Sequence, residues 1–237
     1  MIRIFVCGDT HGLLNTRKLE KLIEREKLTY DDYVIICGDA GIVWSDESFE
    51  PYVEYYNNLG VNILFIDGNH ENFSMLKTFP KEVWNGGVTY KISDKIRYLS
   101  RGQVFNIFGR IILTLGGADS HDKDWRIEGE SWWKDEGITY FDIVTAFENL
   151  KNVNNEVDYV LSHTPNQICA NLLYEKFTQC GEDFPAYLLS KYNCNESGKI
   201  LDEVANKVKF RKWFCGHWHI DEEVENYAVM YESVVEI

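Results

Sequence analysis

Apolar residues in this chain fall into short runs, and the runs alternate with segments whose apolar positions recur every three or four residues. Ile2 to Cys7, Tyr33 to Cys37, Asn62 to Ile66, Ile111 to Leu115, Tyr159 to Leu161 and Lys212 to Cys215 are nearly continuously apolar and give way to Gly, Asp, Asn or His. Such runs predict strands buried on both faces, because successive strand side chains point to opposite sides and here neither side is polar. Between them, Thr16 to Lys27 places Leu19, Leu22 and Ile23 on one face, with Asn15 as the expected cap. Ser48 to Leu59, Asp142 to Leu150, Asn166 to Lys176 and Gly198 to Val208 have the same helical character. In the centre, Val88 to Ile92, Ile96 to Leu99 and Gln103 to Phe108 predict antiparallel strands joined by short turns, and Glu222 to Ile237 predicts further strands. The alternation predicts an α/β fold in which two sheets pack together with helices outside.

Composition narrows this picture. With 237 residues, 45% of them hydrophobic, the chain lies far from the disordered regime, and no linker divides it, so one domain over 1–237 is expected. Its 24 Lys and Arg against 38 Asp and Glu give a net charge of −14, which argues against long nucleic acid as a partner. No apolar stretch reaches membrane-spanning length, and the opening residues lack the layout of a secretory signal, so a cytoplasmic address is expected. The six cysteines form no CxxC pair and predict reduced thiols; Cys7, Cys37 and Cys215 read as small buried hydrophobes.

Histidine placement carries the chemistry. Of six histidines, His11, His70, His163, His217 and His219 stand shortly beyond apolar runs, in the company of acids and amides: Asp9-Thr10-His11, Gly38-Asp39, Gly68-Asn69-His70-Glu71, Ser162-His163 and Gly216-His217-Trp218-His219. Groups just past the carboxyl ends of strands in an open α/β sheet converge on one crevice. Residues two apart on extended backbone project to one side, which lets Asp9 with His11, or His217 with His219, face one ion. Glycine before Asp9, Asp39, Asn69 and His217 allows sharp turns and close approach. With His70 set aside, two Asp, one Asn and four His form a set without thiolate and too rich in nitrogen for Ca²⁺ or Mg²⁺ alone, pointing to Mn²⁺, Fe or Zn²⁺. Seven groups exceed the needs of one ion, so a pair sharing a carboxylate is expected.

These blocks, in this order from residue 8 to residue 219, resemble the calcineurin-like metallophosphoesterase superfamily pattern of D-x-H, G-D, G-N-H-[DE], a lone His and G-H-x-H. The resemblance implies a four-layer sandwich of two mixed sheets flanked by helices, with a dinuclear site at strand ends. It implies that Asp9, His11 and His219 hold one metal, that Asp39 bridges, and that Asn69, His163 and His217 hold the other, with manganese foremost. It further implies a metal-bridging hydroxide as nucleophile and His70 as general acid toward the leaving oxygen.

One block departs from the protein Ser/Thr phosphatases of that superfamily. Where they read G-D-x-x-D-R-G, this chain reads Gly38-Asp39-Ala40-Gly41-Ile42-Val43-Trp44, without the second acid and the arginine. A phosphodiester or nucleotide-type substrate is therefore expected ahead of a phosphoprotein. A nuclease of short nucleic acid, a phosphomonoesterase and an inactive binding scaffold are the alternatives. Asp67, Glu71, Asp119 and Asp124 are candidates to orient His70. The polar segment from Gly116 to Arg126 predicts a substrate loop, with His121 and Arg126 as phosphate contacts and Trp132 or Trp133 available to stack on a base. Oligomeric state leaves no signature in the pattern.

Overall fold

A computed structural model describes residues 2–181 and 183–237. The first half runs β1 (Ile4–Cys7), α1 (Arg17–Glu26), β2 (Tyr33–Cys37), α2 (Asp46–Asn58), β3 (Asn62–Ile66), α3 (Phe73–Leu76), β4 (Lys81–Trp84), β5 (Gly87–Lys91) and β6 (Ile96–Leu99). The second continues with β7 (Gln103–Ile107), β8 (Arg110–Leu115), α4 (Tyr140–Leu150), β9 (Glu156–Ser162), α5 (Gln167–Gln179), α6 (Ala186–Asn193), α7 (Glu196–Ala205), β10 (Lys209–Cys215), β11 (Glu222–Val224), β12 (Tyr227–Val229) and β13 (Val234–Glu236). One sheet has the order β13-β1-β2-β3-β6-β5-β4 and the other β11-β12-β10-β9-β8-β7. Both are mixed. Each has a parallel centre, β1-β2-β3-β6 in the first and β8-β9-β10-β12 in the second, with antiparallel strands at its margins.

Side-chain alternation along the central strands builds the layers. Ile4, Val6, Ile35, Cys37, Leu64 and Ile66 point toward the second sheet, where they meet Ile112, Leu161 and Phe214. Their neighbours Phe5, Cys7, Val34, Ile36, Ile63 and Phe65 point the other way, onto Leu19 and Leu22 of α1 and Tyr56 of α2. On the opposite outer face, Leu113, Val160 and Trp213 pack with Ile143, Leu173 and Leu201 of α4, α5 and α7. The result is the four-layer sandwich, and burial on both faces explains why the strands are apolar without a break.

The expected elements are present with their ends displaced by up to three residues, as in α4, α7, β9 and β10. α1 is preceded by Thr16, not Asn15, and no side chain caps it. α2 begins two residues before Ser48, because Ser45 and Ser48 bond each other's backbone N–H reciprocally. The short α3, the edge strand β4 and α6 lie outside the predicted elements; β4 alternates between exposed and half-buried residues and lacks an apolar run. All six cysteines are free, and burial pushes the Cys7 thiol up to about 11, the behaviour of an inert core residue. No helix among the described residues is long and apolar enough to cross a membrane.

Candidate metal centre

The polar blocks lie just beyond the carboxyl ends of β1, β2, β3, β9 and β10, and they meet between the two sheets. Their backbone is not extended: His11 (φ 47°), Asp39 (φ 47°), His217 (φ 62°) and His219 (φ 54°) all sit in the left-handed region. The expectation that extended chain aims Asp9 with His11 and His217 with His219 is thereby corrected; tight turns do it. Non-glycine residues at positive φ store strain, and they cluster here at the site. The glycines are needed for space. A Cβ on Gly68 would overlap the Asp39 carboxylate, and one on Gly216 would overlap that of Asp9.

Three groups of side chains bring their ligand atoms within 4.8 Å of one another: Asp9, His11 and His219; Asp39, His163 and His217; and His11, Asp39 and His70. Asp39 stands at the junction, with Oδ2 at 3.3 Å from His11 Nε2 and 3.2 Å from His163 Nε2. Its Oδ1 accepts the His70 backbone N–H at 2.7 Å. Asp9 Oδ2 lies 2.9 Å from His219 Nε2, while its Oδ1 accepts the His217 N–H at 3.0 Å.

The donor set suits cations. Asn69 Oδ1 and His163 Nε2 are buried without a hydrogen-bond partner. His163 Nδ1 is 2.8 Å from the Cys37 carbonyl, so that nitrogen carries a proton, and Nε2 is the atom that would turn its lone pair to a cation in the cluster on losing its own proton. Asn69 donates its amide to Ser120 Oγ at 3.0 Å, which leaves its oxygen facing the same space. Burial disfavours charge on Asp39, but His163, His70 and His11 outweigh it and hold the carboxyl well below the usual range. Burial likewise opposes charge on His163, and the Asp39 and Asp9 carboxylates overcome it, pushing the imidazole up to about 9. A carboxylate field strong enough to retain that proton is one that a divalent cation satisfies instead. His217, by contrast, is kept neutral by burial and by Lys191.

Above the cluster a cavity of about 260 Å³ is lined by Asn69, His70, His121, Arg126, Tyr187 and Lys191 together with Asp39, His217 and His219. His121 and Arg126 thus both reach the site. Trp133 does not: it is buried against Trp44, with ring centroids 5.4 Å apart. Trp132 is half-buried, and the exposed tryptophan of this loop is Trp125, at 92% exposure.

None of the acids expected to orient His70 is seen contacting it. Asp67 is bonded by Tyr98 and Arg101, Glu71 accepts from the Gly41 N–H, Asp119 accepts from the Ser197 N–H, and Asp124 lies exposed on a turn. Arg126 occupies that place. Its Nη1 and Nη2 stand 3.3 and 3.2 Å from the two His70 ring nitrogens, and Asp122 grips its Nε and Nη2 at 2.8 and 2.9 Å. Burial and Arg126 together lower the His70 pKa against the pull of Asp39. Two buried lysines add to the site without a sequence signal of their own. Lys18 donates to the Asp9 carbonyl at 2.6 Å, and Lys191, on α6, donates to the His217 carbonyl. Helical spacing around Leu188 was the only signal available for α6.

Comparison with known proteins agrees with this geometry. The family model for calcineurin-like phosphoesterases matches residues 2–221. No curated protein sequence matches. Among solved structures, TT1561 of Thermus thermophilus aligns over 99% of this chain and 97% of its own, with a TM-score of 0.51 at 9% identity, a likeness of fold. The Thermus thermophilus sulfate thiohydrolase SoxB in complex with glycerol aligns over 98% of this chain and 51% of its own, with a TM-score of 0.45 at 14% identity. Strand-end blocks, converging ligand groups and a family match over nearly the whole length lead to one assignment: this chain belongs to the calcineurin-like phosphoesterase family.

Proposed function

We propose that this chain, acting as one domain over 1–237, hydrolyses a phosphodiester or nucleotide-type ester. Asp9, His11 and His219 would hold one metal, Asn69, His163 and His217 would hold a second, and Asp39 would serve both; the nitrogen-rich set favours manganese, with iron or zinc as alternatives. Two bound cations supply an acidified water and neutralise phosphoryl oxygens. His70 protonates the departing oxygen. Its group with His11 and Asp39 offers ligand geometry as well; the guanidinium across both ring nitrogens opposes a metal ion and a proton there alike, so the donor role requires Arg126 to move off the ring onto a phosphoryl oxygen. Arg126, oriented by Asp122, contacts a phosphoryl oxygen, and His121 lies beside it.

The observation that carries the preference for a diester is that the one guanidinium in the cavity, Arg126, is already paired with the Asp122 carboxylate, and that burial disfavours charge on Lys191. Little free positive charge remains for the second negative charge of a monoester. Turnover of the Mn²⁺-loaded protein on bis(p-nitrophenyl) phosphate, p-nitrophenyl phosphate, cyclic nucleotides, dinucleoside polyphosphates and short single-stranded DNA tests this. A diester or nucleotide should lead; leadership by the monoester reverses the substrate assignment.

A further inference from the structure

Tyr98 and Arg101, which bond the buried Asp67 at 2.8 Å each, also line a second cavity of about 560 Å³. It shares no lining residue with the metal cavity. Its volume is in the range of pockets that enclose a small organic molecule. β4, β5 and β6 form one side of it, with α3 and the first turns of α4 around them.

The lining has two chemistries. Phe73, Leu76, Val88, Tyr90 and Phe141 make apolar walls, and Phe141 is 78% exposed, an aromatic ring that nothing in the described chain covers. Against these stand Lys77, Lys81, Arg101 and Lys134; Asp135 pairs with Lys77, Asp67 and Asp142 with Arg101 and Glu128 with Lys134, which leaves Lys81 as the uncompensated charge of the lining. The pair of Asp135 and Lys77 is 3.0 Å long, and Asp142 also caps α4 through Thr139. Lys81 makes no ion pair among the described residues, and Ser100 Oγ is buried without a hydrogen-bond partner.

We propose that this cavity binds a small anionic aromatic molecule of the nucleoside monophosphate class, with the base against the apolar walls and the phosphate at Lys81. Apolar walls alone would suit any hydrophobe, and lysines alone any phosphate. Their combination selects a ring and an anion joined at short distance. The site is independent of the reaction assigned to the metal cavity.

Photolabelling of the full chain with 8-azidoadenosine 5′-monophosphate, followed by peptide mapping, locates the ligand without requiring turnover. Label is expected on peptides from 73–103 or 134–145, protected by adenosine 5′-monophosphate and much less by adenosine or inorganic phosphate. Lys81→Glu and Phe141→Ala, both exposed positions, should each reduce it, the charge reversal on the order of tenfold. Label confined to 121–126 and 187–191, undiminished label in both variants, or equal protection by inorganic phosphate would overturn the proposal.

Discussion

Asn69 and Ser120 are joined side chain to side chain: the Asn69 amide donates to Ser120 Oγ at 3.0 Å, and Ser120 in turn donates to Glu136 Oε2 at 3.0 Å. That chain of bonds decides which end of the Asn69 amide faces the cluster, a choice that packing alone leaves open because the two ends are nearly the same shape. Ser120→Ala frees the amide to turn. The expected result is a loss of metal affinity of about 10- to 100-fold, the usual effect of removing a group that orients a ligand, with the fold retained. Metal titration followed by manganese resonance checks it, and an unchanged affinity removes Ser120 from this role.

Asp39 and His11 each belong to two of the three ligand groups, and Asp39 is the carboxylate of the two. Asp39→Asn keeps the shape and removes the charge that would offset the two cations of the proposed centre, so the protein should retain at most one ion and lose most of its turnover. Elemental analysis of the reconstituted variant decides; two retained ions with normal turnover exclude a bridging role.

His70→Ala separates a proton donor from a ligand. With both ions retained, the rate should fall on the order of a hundredfold on an alkyl or sugar ester and clearly less on a p-nitrophenyl ester, which departs without help. Equal losses on both substrates with one metal missing would make His70 a ligand.

Arg126 lies across the His70 ring and is held by two bonds from Asp122. Arg126→Ala should cost on the order of tenfold or more in kcat/KM, the scale of one charge-assisted hydrogen bond. Asp122→Asn should move the same parameter in the same direction by less, because the guanidinium survives but loses its hold. Unchanged kinetics in both variants would return the loop to a structural role.

Glu136 supplies a pH signature. Burial pushes its carboxyl up to about 7 against the bonds from Ser120 that pull it down. The folded state therefore holds this proton more tightly than the unfolded chain does. The associated stability is fully present below the ordinary glutamate value, about 4.3, and is lost as pH rises to about 7. Thermal melts of Glu136→Gln should show a shallower decline across that window than the parent protein, and parallel curves would assign the decline elsewhere.

Much of this was legible from sequence because it depends on near neighbours. Continuous apolar runs in β1, β2 and β3 declared strands buried on both faces, and the blocks that follow them had to emerge at strand ends because chain continuity leaves no other place. The cysteines that precede Gly8, Gly38 and Gly216 were readable as core for the same reason. α6 was harder, since its apolar positions are interrupted and it contributes only Tyr187 and Lys191 to the site's lining.

Sequence by itself thus determined which runs become strands, the types of the candidate ligands beyond them and the order in which they arrive. Only the tertiary structure decided that turns with left-handed backbone aim those ligands, that Arg126 with Asp122 stands beside His70 in place of the four acids considered, and that Ser120 selects the oxygen of Asn69. The reason is separation along the chain. Asn69 and Ser120 are 51 residues apart, and Arg126 and His70 are 56 apart. Contacts over such distances follow from how the two sheets pack and where the long loop after β8 returns across them. No local spacing rule encodes that registry, because the residues it joins constrain one another only after the core has formed.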